Sequence, residues 1–167
     1  NTRLANAVKA EDSAAVRELL ESGANPNGVL WEEYSDCQGA KQRYSDGLLW
    51  VAASKGNLEI AKLLLRHGAE VNPKGDSSTL SVAAQEGHLK VVKLLLRYGA
   101  EVNPKGQQSP LAWASYSADG LPIMKLLIRH GADVNAHFDR GATVMTVARF
   151  HYGEEAVALL KKHGAHR

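Results

Sequence analysis

Four segments of this chain align without gaps: VRELLESGANPN (16–27), IAKLLLRHGAEVN (60–72), VVKLLLRYGAEVN (91–103) and IMKLLIRHGADVN (123–135), with VALLKKHGAHR (157–167) as a truncated fifth. Upstream of each lies a second shared pattern, LANAVKAED, LLWVAASKGN, TLSVAAQEGH, PLAWASYSADG and VMTVARFHYG. Small alanines hold one register in it, at Ala7, Ala52, Ala83, Ala114 and Ala148, separated by 45, 31, 31 and 34 residues. Self-similarity at this period means one supersecondary unit used repeatedly, each copy burying its apolar face on the next.

Each unit reads as two short helices. In the second helix, Ile60, Leu63, Leu64 and Leu65 put apolar groups at near i, i+3, i+4 spacing while Lys62 and Arg66 face water. Gly68, Gly99, Gly131 and Gly164 follow, where a residue at positive φ ends the helix at little cost. In the first helix the paired alanines leave room for a neighbouring helix to come close.

The GAEVN and GADVN endings, the LLLRHGA second helix and the Ser109-Pro110-Leu111 opening of the fourth unit resemble the ankyrin repeat across residues 2–167. The resemblance implies an all-α solenoid of stacked antiparallel helix pairs, with β-turn fingers between units and a concave face made by fingers and first helices. The units fall at about 2–27, 46–72, 77–103, 108–135 and 142–167, in a single domain. Where the family usually has Thr-Pro-Leu-His, this chain has Gly47-Leu-Leu-Trp50, Ser78-Thr-Leu-Ser81, Ser109-Pro-Leu-Ala112 and Thr143-Val-Met-Thr146, so the usual His-centred bonds are missing from every unit.

The fingers differ in length. Five residues follow Asn72 and Asn103 and seven follow Asn135, but 19 separate Asn27 from Gly47. That first finger, 28–46, is greatly extended and holds Trp31, Tyr34 and Tyr44. Trp and Tyr most often dominate partner binding, which makes these three candidate contact residues. Two other readings compete: an inert loop tip, and Trp31 folded back as a lid over the joint. A second candidate surface follows the alanines, where the resemblance places variable concave positions and the last two units present Tyr116, Phe150 and Tyr152. The alternative for Phe150 and Tyr152 is capping of the terminal unit. Trp113 falls in a core register and Trp50 at the family's His position, both read as packing.

No catalytic constellation emerges. His67, His130 and His163 share one repeat position, so their recurrence follows from the repeat, and no HExxH, paired CxxC, phosphate loop or GxSxG motif is present. Neither a metal nor another cofactor is expected. Lysines and arginines recur along the second helices (62, 66, 93, 97, 125, 129, 161, 162), but the 20 basic against 18 acidic residues, net +2, argue against nucleic acid as the partner. Basic side chains interleaved with Glu59, Glu70 and Glu101 read as a solvated face. In the ankyrin family, an asparagine in the context of GADVN resembles a target of asparaginyl hydroxylation, which makes Asn135 a modification candidate; its plainer role is a turn asparagine bonding its own loop.

The lone Cys37 rules out an internal disulfide. No apolar run approaches the roughly 20 residues that cross a bilayer, and no secretory signal opens the chain, so no membrane insertion is expected and the location is cytoplasmic or nuclear. The start at Asn1, without Met, suggests a segment of a longer product. The functional expectation is a monomeric, non-catalytic module that binds a protein or peptide on its concave face and long first finger. The alternative is an intramolecular scaffold or autoinhibitory spacer of a larger protein.

Overall fold

The computed structural model describes residues 2–35, 41–73, 78–105, 109–138 and 141–166; the side chains of 31–35 and 41–45 lie outside the described residues. Four helix pairs follow one another: α1 (Thr2–Lys9) with α2 (Ser13–Glu21), α3 (Leu48–Ser54) with α4 (Leu58–Arg66), α5 (Thr79–Gln85) with α6 (Leu89–Arg97), and α7 (Pro110–Tyr116) with α8 (Gly120–Arg129). The fifth pair is α9 (Val144–Lys162), broken at Gly153, whose φ of 64° and ψ of −148° turn the chain between its two halves. First helices pack on first helices and second on second down the stack. The result is the expected solenoid.

Side-chain chemistry sets the helix ends. Asp12, Asn57 and Ser78 accept from the backbone N–H three residues on, and Thr143 and Thr146 form a reciprocal capping box. After every second helix a glycine takes positive φ, from 83° at Gly99 to 90° at Gly23 and Gly164. The alanine behind it then donates to the carbonyl five residues back: Ala24 to Leu19, Ala69 to Leu64, Ala100 to Leu95, Ala132 to Leu127 and Ala165 to Leu160, each at 3.0 Å. This Schellman closure satisfies carbonyls that the helix leaves open, and it explains why Gly-Ala recurs.

The core runs the length of the stack as one cluster. Its repeating members are Leu4, Leu49, Leu80, Leu111 and Met145 in the first helices and Leu64, Leu95, Leu127 and Leu160 in the second, each at most 3% exposed. Burial of such a side chain contributes about 2 kcal/mol. Ala53, Ala83, Ala84, Ala114 and Ala148 are fully buried where first helices meet, the close approach expected of small residues.

Between the first two pairs the described residues are not helical. Strands β1 (Val29–Ser35) and β2 (Lys41–Gly47) pair antiparallel from Val29 opposite Gly47 to Ser35 opposite Lys41. The base of this hairpin is tied to the solenoid by Leu30, 8% exposed within the core cluster, and by the Leu48 N–H donating to the Gly28 carbonyl at 3.2 Å. Thus the extra residues of the first finger contain regular backbone pairing.

The Thr-Pro-Leu-His substitutions leave a trace. Among the described residues, Trp50 Nε1, Thr79 Oγ1 and Ser109 Oγ are buried without a hydrogen-bond partner, and all three belong to the replaced motif. Unmade bonds of this kind cost stability.

Candidate functional site

The α7 end of the stack gathers aromatic side chains from three elements. Trp113 and Tyr116 project from α7, Phe138 comes from the last finger, and Phe150, His151 and Tyr152 come from the first half of α9. Tyr116 meets Phe138 edge to face with ring centroids 4.9 Å apart and His151 at 5.8 Å; Trp113 lies 6.5 Å from Phe138, and Phe150 5.2 Å from His151. These are favourable aromatic geometries. Phe150 remains 87% exposed and Tyr116 46%. The cluster is an aromatic ridge in contact with water.

Phe138 reaches this ridge because its finger closes on itself. The Phe138 N–H donates to the Ala142 carbonyl at 2.8 Å, and His137 bridges Thr143. The sequence reading misses Phe138, although an aromatic in a finger is the same signal that singles out Trp31; His151 stands among the variable concave positions there but not among the chosen contacts. The same reading assigns Trp113 to the core. Trp113 is half-buried and belongs to the aromatic ridge instead, because it lies on the α7 face toward the finger.

Tyr152 does a different job from Tyr116 and Phe150. Its hydroxyl accepts from the Gly120 N–H at 2.8 Å and donates to the Ser117 carbonyl, closing the loop between α7 and α8. Burial pushes its phenol above the ordinary tyrosine value; the Gly120 N–H opposes that shift and the nearby Asp119 carboxylate adds to it. Gly120 has no room for a side chain, since a Cβ there would run into the Ala114 carbonyl oxygen and the Tyr152 hydroxyl. At an earlier joint His88 plays the matching part: its Nε2–H donates to the Ser54 carbonyl at 3.0 Å, and its ring covers Gly56.

Asn135 belongs to a ladder. Asn27, Asn72, Asn103 and Asn135 each donate a side-chain N–H to a glycine carbonyl of the following unit (Gly68, Gly99, Gly131, Gly164). Each also accepts from the backbone N–H two residues further on, at Glu70, Glu101, Asp133 and His166. The expected bond to the residue's own loop is therefore corrected: the amide clamps the next unit, because the glycine turn there presents one acceptor and one donor side by side.

The described residues thus combine five helix pairs, one glycine-alanine closure per unit and an asparagine clamp between units. A family model described as ankyrin repeats in three copies matches residues 4–106, and a single ankyrin repeat matches residues 106–137. The chain belongs to the ankyrin-repeat family. No curated protein matches it significantly. Ankyrin repeats are generally protein–protein interaction modules, and typically non-catalytic. Among the described residues of this ankyrin chain, no three His, Cys, Asp or Glu side chains are grouped to hold a metal ion, and no helix is long and apolar enough to cross a membrane.

The other candidate residues are on the hairpin. Trp31 and Tyr34 are on β1, with Cα partners Ser45 and Gln42, and Tyr44 on β2 is opposite Glu32. Their side chains lie outside the described residues, as does Cys37.

Proposed function

We propose that this ankyrin-repeat chain is a non-catalytic recognition module that takes a protein or peptide on the concave face. The contact residues are Tyr116 and Phe150 on the aromatic ridge, with Tyr152 behind them, and Trp31, Tyr34 and Tyr44 on the first finger. The observation that carries this reading is Phe150, an aromatic left 87% exposed at the end of a ridge of packed rings. Exposed aromatics on a rigid support lose little ordering entropy on binding and make good anchors.

The test is affinity capture with the wild-type chain and with Tyr116→Ala/Phe150→Ala, each checked for helicity by circular dichroism. Tyr152 stays intact in this variant, since its hydroxyl closes a joint. A partner held by the wild type and lost from the folded variant supports the reading; equal capture by both defeats it. Replacing 29–46 by a seven-residue turn tests the finger in the same assay. Asn135 is proposed as a hydroxylation site on the family resemblance alone, and intact mass after exposure to an asparaginyl hydroxylase, with a shift of one oxygen expected, decides it.

A further inference from the structure

The second helices repeat a cation at one register: Arg17 in α2, Lys62 in α4, Lys93 in α6 and Lys125 in α8. At the first joint Arg17 reaches across to Glu59 of α4 at 3.1 Å, and at the last joint Lys125 reaches across to Glu155 of α9 at 2.8 Å. Glu59 and Glu155 hold equivalent positions, eight residues before His67 and His163. The same position in α6 is Lys90, and in α8 it is Pro122. So the two central joints lack the carboxylate that both terminal joints use. In its place the first of them carries another cation.

One turn further along, Arg66, Arg97 and Arg129 form a second row. Among the described residues, Lys62, Lys90, Lys93 and the three arginines enter no ion pair, and all six are exposed. Lys62 with Arg66, Lys90 with Lys93 and Lys93 with Arg97 are like charges three or four residues apart on one helix, spacings at which they repel. Anionic groups brought by a partner would relieve that repulsion.

We propose that the outer face of α4, α6 and α8 binds an extended acidic segment of a partner protein, whose carboxylates fill the two places occupied by Glu59 and Glu155 at the terminal joints. The spacing selects this partner. Packed helices lie about 10 Å apart, and a chain extended in the polyproline II form has three residues per turn and advances about 3.1 Å per residue, so an acidic side chain at every third residue falls on one side and meets successive joints. The arginine row offers forked donors that match carboxylates. A nucleic acid gains affinity from a long continuous track of cations, whereas this track is bounded by the Arg17–Glu59 and Lys125–Glu155 pairs and the chain's net charge is only +2. The face also has little to insert into a lipid surface, Tyr98 being the one large hydrophobic exposed on these three helices and their caps among the described residues.

The experiment restores the missing carboxylates. Lys90→Glu/Pro122→Glu places an acid at both central joints, on exposed positions. Fluorescence anisotropy at low salt then measures binding of a short synthetic peptide with Glu at every third residue, beside one with the same glutamates contiguous. We expect the spaced peptide to bind the wild-type chain at least about fivefold more tightly than the contiguous one, and the variant to weaken its binding at least about tenfold. The variant should melt no lower than the wild type, having gained two cross-joint pairs. Arg97→Gln gives a second variant that should weaken the same binding without placing a new charge in a joint. Tyr116→Ala/Phe150→Ala should bind the peptide as the wild type does, so this proposal and the concave-face reading fail separately. Equal binding by the wild type, Lys90→Glu/Pro122→Glu and Arg97→Gln overturns the proposal, and so does tighter binding of a single-stranded oligonucleotide or a phosphatidylserine vesicle.

Discussion

The loops that follow the second helices and the loops inside each helix pair join the same units, yet they are built on opposite plans. After every second helix the chain uses one solution, glycine at positive φ and alanine closing the helix, and after the first four an asparagine clamps the next unit. Inside the pairs each joint is individual. His88 covers Gly56, Ser117 lies against Gly87, and Tyr152 fills the space at Gly120. The difference teaches where a repeat tolerates variation. A clamp that reads only backbone groups works in every unit, because the backbone repeats. A plug that fills a gap between side chains must be fitted to each gap.

The largest expected effect breaks an individual joint. Gly120→Ala drives a methyl group into the Ala114 carbonyl oxygen and the Tyr152 hydroxyl, and backbone cannot yield as a flexible side chain does. Overpacking of this kind costs about 3 kcal/mol, and a large fall in melting temperature by circular dichroism is expected. A melt matching the wild type would mean that the α7–α8 loop is soft.

The shared joints should respond uniformly. Asn103→Ala removes a 2.8 Å bond to the Gly131 carbonyl and a 2.9 Å bond from the Asp133 N–H. Two exposed hydrogen bonds together are worth about 2 kcal/mol, to be read from urea denaturation. Asn27→Ala and Asn72→Ala should lose similar amounts, since their bonds repeat the pattern; a scatter as wide as that among the plugs would dissolve the contrast.

Tyr152→Phe sharpens it at an individual joint. Loss of the hydroxyl leaves the Gly120 N–H and the Ser117 carbonyl without that partner, a cost of about 1 kcal/mol. The effect should depend on pH in a definite direction. The folded phenol is raised above the ordinary tyrosine value near 10, so folding favours its protonated form. Its contribution is fully present below about pH 10 and is lost as pH rises through the raised folded value. The gap in stability between wild type and Tyr152→Phe should therefore be constant at lower pH and close above it; a gap that widens above pH 10 would contradict the assigned bonds.

How far these features were legible in the sequence follows from the same contrast. The helix pairs and glycine stops could be read because the signals that make them lie within a few residues: periodic leucines, a capping side chain, a glycine at the end. The Asn103 clamp could not, since its acceptor at Gly131 is 28 residues away and becomes a neighbour only when units stack. For Tyr152 the sequence offers a contact residue or a cap of the terminal unit and no hydrogen-bond partner, for a related reason: aromatic character is visible locally, while the Gly120 N–H that its hydroxyl accepts from comes from another unit. Phe138 was passed over because a finger of ordinary length draws no notice, although it brings a ring to within 4.9 Å of Tyr116.

The smallest effect tests the one inner loop whose left-handed residue is not glycine. Glu11 stands where Gly56 and Gly87 stand in the next two units, and it holds φ of 60° with a side chain. That conformation costs a non-glycine residue about 1 kcal/mol or somewhat more. Something offsets it: the Glu11 carboxylate accepts from Lys55 Nζ at 3.1 Å and is 3.5 Å from Asn57 Nδ2, and the hydrogen bond and charge of Lys55 hold it below the usual glutamate range. The pair is exposed, and exposed pairs are weak and screened by solvent and salt. Glu11→Gly should accordingly raise stability slightly at neutral pH, because the relief of strain exceeds the loss of the pair. The sign of its pH dependence is also set. A lowered folded carboxylate stabilises above its ordinary value and loses that contribution as pH falls through the folded value, so the advantage of Glu11→Gly should grow in acid. If chemical denaturation instead shows the glycine variant less stable at neutral pH, the Lys55 contact outweighs the backbone, and the first inner loop is as individually fitted as those at His88 and Tyr152.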